Sequence, residues 1–512
     1  MPAFLEPSRL SRALGPLAPL ILRFASSRPG LVLAGGPVRD AVMGRPVADV
    51  DITVEKGGAA AVGRAFADMA GGALVLLGKE RLARVIRGAA TVDFTPLRAP
   101  TLEADLRARD FTVNAMAVRL PWGAGRAEVI DPTGGISDLK ARRLRACSAS
   151  SFRDDPVRLW RAIRMEAELR FRPEAATARL LAAAIARKPA LPGERLRDEF
   201  MKLLALPNAA GALARARKAG LLGLTFPETR AMDAVKAGRQ RIDVMEHTLD
   251  GFRFLEMDLA SLARVFPREG AAVRAHLDRE AVAGRPRSSL LKLAMLLHDV
   301  GKPGTVSVRE DGRVHFLEHE KTGAATAANV MRNRLKMAEG EVRSVTALIR
   351  QHLRIGFLAG APRVTDRAVY RLIRDAGDEL FDLVLHARAD RRATRHGLRI
   401  SAAAHARMVG RILGLRRAML ARQDVRRLLT GHDVMKELGI GPGPVVGAVL
   451  RAVDEAAALG QVRDRAGALR EARRALEGAR RALEGARQAL VRARRASGRA
   501  GPLDRANPRV LK

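Results

Sequence analysis

Short apolar runs recur between residues 28 and 145, at 31–33, 50–54, 74–77, 85–86, 92–95 and 113–118, with helically spaced stretches between them. Runs of this length, several alternating apolar with polar, predict β-strands, and their interleaving with helices predicts an α/β head. After Asp154 the strand pattern fades. Apolar positions then return with helical spacing over 157–169 and 177–186, which predicts a helical neck, and a helical body is expected through 194–222. Residues 289–297 read as a further helix. Near the start, 14–22 is apolar and flanked by Arg9, Arg12 and Arg23, but Pro16 and Pro19 interrupt it and no clear small-residue cleavage site follows. It is read as the opening helix of the head rather than an export signal.

The C-terminal end repeats itself. Ala472-Arg473-Arg474-Ala475-Leu476-Glu477-Gly478 recurs almost verbatim at 479–485 and loosely at 486–492. Leu476, Leu483 and Leu490 fall every seventh residue, and Ala479 and Ala486 complete a narrow apolar seam. Gly478 and Gly485 each cost a helix about 1 kcal/mol relative to alanine, which argues against a long coiled coil. Nine arginines against three glutamates over 470–496 leave two readings, a basic helical arm on RNA or a solvated, frayed extension, with disorder expected after Ser497.

Composition narrows the partners. A chain of 512 residues exceeds one core and suggests about three domains. The net charge of +36 and pI near 11.5 predict electrostatic binding to a polyanion, with strongly salt-dependent affinity. Aromatic residues make up only 4%, so stacking on aromatic platforms is not the expected mode of RNA binding. The lone cysteine, Cys147, excludes an internal disulfide and a Cys-cluster zinc site, consistent with a reducing cytoplasm. No run approaches the roughly 18 apolar residues of a membrane span, so no membrane partner is expected.

The chemistry concentrates at Gly35-Gly36-Pro37-Val38-Arg39-Asp40, Gly44-Arg45-Pro46 and Asp49-Val50-Asp51. Side chains two apart on a strand leave from the same face, roughly 6 to 7 Å apart, so Asp49 and Asp51 can grip one metal cluster. Hard carboxylate oxygens suit Mg²⁺, which prefers one or two carboxylates plus substrate phosphates. The glycines let backbone N–H groups approach a triphosphate, beside a helix starting near Val38. Asp93, on the alternating run Thr91-Val92-Asp93-Phe94-Thr95, supplies a third acid of the kind two-metal phosphoryl transfer uses. Arg109, Asp110 and Asn114 set a charged pair and an amide beside an apolar run, suited to a ribose and phosphate.

Further blocks follow: Asp131-Pro132-Thr133-Gly134-Gly135 with Asp138-Leu139, then Asp154-Asp155-Pro156-Val157-Arg158 with Arg161 and Arg164, then Glu194-Arg195-Leu196 with Glu199 and Lys202. In this order, residues 31–204 resemble the class II tRNA nucleotidyltransferase and bacterial poly(A) polymerase family. The resemblance implies an α/β nucleotidyltransferase head, a mixed sheet with helices, followed by an all-α neck, body and HD domain. It implies a template-independent enzyme that adds CMP, AMP or both to the tRNA 3′ end, with tRNA, CTP and ATP as partners and Mg²⁺ as cofactor. Asp49, Asp51 and Asp93 would be catalytic and hold two Mg²⁺ ions. Gly35, Gly36, Arg39, Arg109, Asp110, Asn114, Asp155, Arg158, Arg161 and Arg164 would bind the nucleotide, with Asp155 and Arg158 reading the base edge.

Two departures from the family pattern stand out. Ala108 replaces the first of two arginines before Asp110-Phe111-Thr112, so a phosphate or ribose contact is missing or supplied by Arg107. Between Arg98 and Asp105 lies only the short stretch 99–104, where CCA-adding members resembling this chain carry a longer loop. Members that add only the two cytidines are similar in lacking it. The reading therefore leans towards CC addition, with CCA and A addition left open.

A second constellation starts at Glu246-His247 and continues through His298-Asp299-Val300-Gly301-Lys302, His319-Glu320, Gln351-His352 and Asp390. It resembles an HD-family metal site, which implies ligation by His247, His298, Asp299, His319, His352 and Asp390, with His315 as a less well-spaced alternative to His319. Imidazole and carboxylate ligands suit a transition metal, which can activate water against a phosphoester. Gly431-His432-Asp433 lies outside the pattern and is read as a decoy.

The expected segments are a head over 1–150, a neck and body over 151–235, a phosphohydrolase-like HD domain over 236–400, a helical tail over 401–469 and the heptad arm with a disordered end over 470–512. Rival readings are a poly(A) polymerase, an HD phosphohydrolase whose head only clamps RNA, an inactive HD fold bracing tRNA, and a non-catalytic RNA-binding protein.

Overall fold

The computed structural model describes residues 3–496 apart from 48, 79–81, 89, 123–124, 238–241, 283–284, 309, 311–313, 395–399 and 423–427. The expected disorder after Ser497 falls outside these residues. The chain forms two compact units: Met1–Ala237 with Ile242–Arg343, and Gly238–Arg241 with Ser344–Lys512.

The first unit opens on helix Pro7–Leu14, a 3-10 turn Gly15–Leu17 and helix Ala18–Ser26. The apolar stretch at 14–22 is thus helical but broken, because Gly15 takes φ 56° and Pro16 offers no N–H. The head follows, with strands β1 (Leu31–Ala34), β2 (Asp49–Val54), β3 (Ala73–Leu77), β4 (Leu82–Arg87), β5 (Ala90–Pro96) and β6 (Ala117–Leu120). They make one six-stranded mixed sheet in the order β3-β4-β5-β2-β1-β6, in which β2 and β5 run parallel and the other neighbours antiparallel.

Helix α1 (Gly36–Val42) joins β1 to β2, α2 (Ala59–Ala70) joins β2 to β3, and α3 (Leu102–Arg107) follows β5. Phe66 of α2 packs on Phe94 of β5 with ring centroids 5.3 Å apart, and Phe24 meets Phe66 at 5.2 Å. Side chains alternate along a strand, so burying Phe94 on this face sends Asp93 to the other. Val50 and Ile52 are likewise buried, which sends Asp49 and Asp51 to the same side as Asp93.

The run at 113–118 is only half strand. Thr112–Asn114 is a 3-10 turn and pairing starts at Ala117. All of Val113, Ala115, Met116, Ala117 and Val118 are buried, so apolarity alone cannot distinguish a core turn from a core strand.

Helices then take over: α4 (Arg158–Leu169), Ala175–Ala186, α5 (Gly193–Ala205), Ala209–Lys218, α6 (Val244–Leu259), α7 (Arg287–Leu297) and α8 (His319–Asn329). The buried Lys292 of α7 ties this set to α5, donating to Leu206 O at 2.5 Å and to Glu256 Oε1 at 2.9 Å. An ammonium there faces the carbonyl end of α5, where a positive charge is favoured.

The described part of the second unit is helical, and its last element is a 32-residue helix, Arg465–Ala496. Gly478 and Gly485 do not interrupt it. Of the seam, Leu476 is buried, together with Ala468 and Ala472, against Val446, Val449 and Val453 of helix Pro444–Ala458. No described helix is long and apolar enough to cross a membrane.

Candidate active site and metal centre

Asp49, Asp51 and Asp93 come together through strand register. Asp51 lies opposite Asp93 across the parallel pair β2–β5, and Asp49 lies opposite Thr91. Burial, then Asp93 and Asp49, push the Asp51 carboxyl up to about 6 against the opposing pull of Arg109. Crowded acids that resist ionising are what a divalent cation relieves.

Asp49 and Asp51 line a cleft of about 610 Å³, together with Gly35, Gly36, Arg39, Arg109, Asp110, Asn114, Asp155, Arg158, Arg161 and Arg164. All the residues expected to bind nucleotide therefore border one cavity. Asp93 is not among its lining residues. Both its oxygens are engaged by Arg84 of β4, at 2.8 and 2.7 Å.

Gly35 takes φ 83°, an angle that favours glycine, and a Cβ there would crowd Arg109 Nη1 at 2.6 Å. Arg39 holds Asp40 through two bonds of 2.9 Å and reaches Asn114 Oδ1 at 2.7 Å. Asn114 in turn donates to Asp110 Oδ1 at 3.1 Å, and Asp110 also accepts from Phe111 N at 2.6 Å. Arg107 is exposed and does not line the cleft.

The opposite wall is a network of charge. Arg161 bridges Asp110 Oδ2 at 3.0 Å and Glu199 Oε1 at 2.7 Å, while Arg164 holds Glu199 Oε2 at 2.9 Å. Burial alone would raise both acids, yet the arginines outweigh it and hold Asp110 and Glu199 below the usual carboxylate range. Asp155 pairs with Arg195 at 2.5 Å and stands 3.7 Å from Arg158 Nε. Arg158 is steadied from behind: Nη2 donates to Ala108 O at 3.1 Å and Nη1 to Ser151 Oγ at 3.0 Å. The pair expected to read the base is thus anchored on the same segment that carries Arg109.

In the HD region of the first unit, the ligand atoms of His247, His298 and Asp299 lie within 4.8 Å of one another. His319 Nε2 stands 3.4 Å from Asp299 Oδ1, and His298 Nε2 3.1 Å from Oδ2. His298 Nδ1 meets Met295 O at 2.9 Å and His319 Nδ1 meets Phe316 O at 2.9 Å. A carbonyl can only accept, so each Nδ1 carries a proton and Nε2 is the nitrogen turned toward Asp299, the side from which a metal-ligating histidine binds. Burial would raise the Asp299 carboxyl, but His298 and Lys302 hold it well below its ordinary range, with Lys302 Nζ at 2.6 Å. These donors fit a divalent ion.

His352 and Asp390 belong to the second unit. There His352 Nδ1 meets Ile349 O at 2.7 Å, and its ring lies 5.8 Å from that of the buried His386, one turn before Asp390 on helix Leu380–Ala393. Asp433 caps helix Gly431–Leu438 through Thr430 and pairs with Arg465 at 2.7 Å, a structural role.

The chain matches family models for the poly A polymerase head domain over 31–145, the probable RNA and SrmB- binding site of polymerase A over 170–232, and the HD domain over 261–389. An A-adding tRNA nucleotidyltransferase of Deinococcus radiodurans is 36% identical over 447 residues, covering 85% of this chain and 93% of the relative. The chain belongs to the tRNA nucleotidyltransferase family. A CC-adding member from Geobacter sulfurreducens is 33% identical over 449 residues, covering 86% of this chain and 90% of that one. Among solved structures, a Thermotoga maritima CCA-adding enzyme complexed with tRNA shares the fold, with a TM-score of 0.57 and 23% identity over 93% of this chain and 100% of that one. Members of this family are enzymes, and both head and HD domain imply use of divalent metal.

Sequence reading missed Arg84, whose only signal is a charge inside the alternating run of β4. It also assigned no role to Arg195, Glu199 and Lys202, all of which line the cleft.

Proposed function

We propose that this enzyme extends the 3′ end of tRNA without a template, from CTP, ATP or both, at the cleft bordered by Asp49 and Asp51. One observation carries the reading: paired carboxylates and an anchored Asp155–Arg158 pair face a single cavity of about 610 Å³. That size suits one nucleotide-scale ligand.

Asp49 and Asp51, with Asp93, would hold Mg²⁺, which when bound lowers the pKa of an attacking hydroxyl and offsets charge on the triphosphate. Arg39, Arg109 and Asn114 orient sugar and phosphates. Asp155 and Arg158 would read the base edge, a match worth about 1 to 3 kcal/mol of selectivity. The protein performs little covalent chemistry, so positioning and charge carry the rate. CC addition is favoured by the five-residue connection between β5 and α3.

The test uses tRNA ending at the discriminator base, at CC or at CCA, offered CTP, ATP or both. Two cytidines from CTP on the shortest tRNA support CC addition. A single adenosine on the CC form alone indicates A addition, and long adenosine tracts on varied RNAs overturn tRNA-end synthesis.

A second reading is favoured by the oriented imidazoles of His298 and His319, which support a transition-metal site in the HD domain, set up for phosphoester hydrolysis. Purified enzyme should carry such a metal by elemental analysis and His298→Ala should lose it; equal metal in both proteins would refute the site.

A further inference from the structure

The head contains a cation of its own. Arg84 and Asp93 are directly opposed in the antiparallel pair β4–β5, and the guanidinium fork takes both carboxylate oxygens at 2.8 and 2.7 Å. Such bidentate pairs are among the stronger hydrogen-bonded contacts in proteins. Asp93 is nearly enclosed, with side-chain exposure of 10%, whereas Arg84 keeps 42%. One partner is fixed and the other can leave. Asp49 and Asp51 line the cleft and Asp93 does not.

We propose that Arg84 is a tethered counter-ion that competes with the divalent metal for Asp93, so that loading the head with its third ligand requires the guanidinium to withdraw. This rests on the reading of Asp49, Asp51 and Asp93 as the metal-holding acids. Arg84 holds both oxygens of Asp93, while Asp49 and Asp51 line the cleft. A carboxylate whose two oxygens both accept from one guanidinium has its best lone pairs directed at that group, so a metal must displace at least one of the bonds. Arg84 also offsets part of the repulsion among three crowded acids. Removing it makes the site more anionic and frees a ligand, and both changes favour a cation.

The test measures binding of Tb³⁺, a hard cation suited to the head carboxylates rather than to imidazole, by its luminescence on the full-length protein. Arg84→Met should bind about tenfold tighter than the parent, and Arg84→Lys, which keeps the charge but loses the fork, should fall between them. In an Asp93→Asn background the same Arg84→Met change should have little effect. Unchanged or weaker binding in Arg84→Met, with Arg84→Lys also at the parental value, overturns the proposal. So does an equal gain in the Asp93→Asn background, which would reduce Arg84 to a general field effect. Asp51→Asn serves as the separate control. If it leaves Tb³⁺ binding intact, the metal-site reading itself fails; if it abolishes binding while Arg84 variants behave as the parent, only the counter-ion proposal fails.

Discussion

Replacing Asp51 with alanine is expected to abolish nucleotide incorporation, with kcat falling by at least about 10³-fold, equivalent to about 4 kcal/mol of transition-state stabilisation. Asp51 is the acid at the centre of the site, opposite Asp93 in register and two residues from Asp49 on the same strand face. Its loss would remove an oxygen proposed to hold the metal, without disturbing the buried Val50 and Ile52 on either side. tRNA affinity should stay nearly constant, because the lost charge has the same sign as RNA. Single-turnover incorporation of labelled CMP and filter binding of tRNA separate the two; turnover within tenfold of the parent would refute the assignment. The same carboxyl gives the metal-free protein a pH signature. Its pKa, about 6 when folded, exceeds the unfolded value near 4, so the fold takes up a proton. Stability should be greatest below about pH 4 in this respect and fall as pH rises through 6, by about 3 kcal/mol. Urea unfolding in chelator should show that slope, and Asp51→Asn should remove it.

Arg161→Met is expected to destabilise the protein by about 3 to 5 kcal/mol, since it leaves two nearly buried carboxylates without their shared cation. Arg161 joins Asp110, which steadies Asn114, to Glu199 on α5, so it connects the nucleotide-facing segment of the head to the helical wall. Both acids are held below their ordinary range, so the stabilisation is present above about pH 4 and lost as acid protonates them. Urea unfolding at pH 7 measures the loss. The double variant Arg161→Met, Asp110→Asn should recover part of it, because Asp110 is the acid left without its cation, whereas Glu199 keeps Arg164. A loss below about 1 kcal/mol, or no recovery, would show that the network does not brace the wall.

The head was readable wherever side-chain pattern and backbone geometry agree over a few residues. The runs containing Asp49, Asp51 and Asp93 alternate because one face packs on Phe66 and Phe24 and the other carries acids. Residues 113–118 defeated the same reasoning, since every apolar position there is buried whether the backbone extends or turns. The glycines at 478 and 485 lie inside helix Arg465–Ala496, whose Ala468, Ala472 and Leu476 are buried with Val449 and Val453, so a cost of about 1 kcal/mol at each did not end the helix.

By itself the sequence determined that two acids share a strand face and that a third lies on another strand, while the order of its motifs carried a family resemblance and, through it, the expectation of base and sugar binding. The placement of the acids is a property of a period of two residues, which neighbouring positions suffice to specify. Only the tertiary structure decided that Arg84 claims Asp93, that Arg161 spans Asp110 and Glu199, and that Arg158 is pinned to the carbonyl of Ala108. A guanidinium reaches any carboxylate that packing brings within about 3 Å. Which one it meets depends on strand register and helix docking across 9 to 51 positions of chain, and no local pattern encodes that choice.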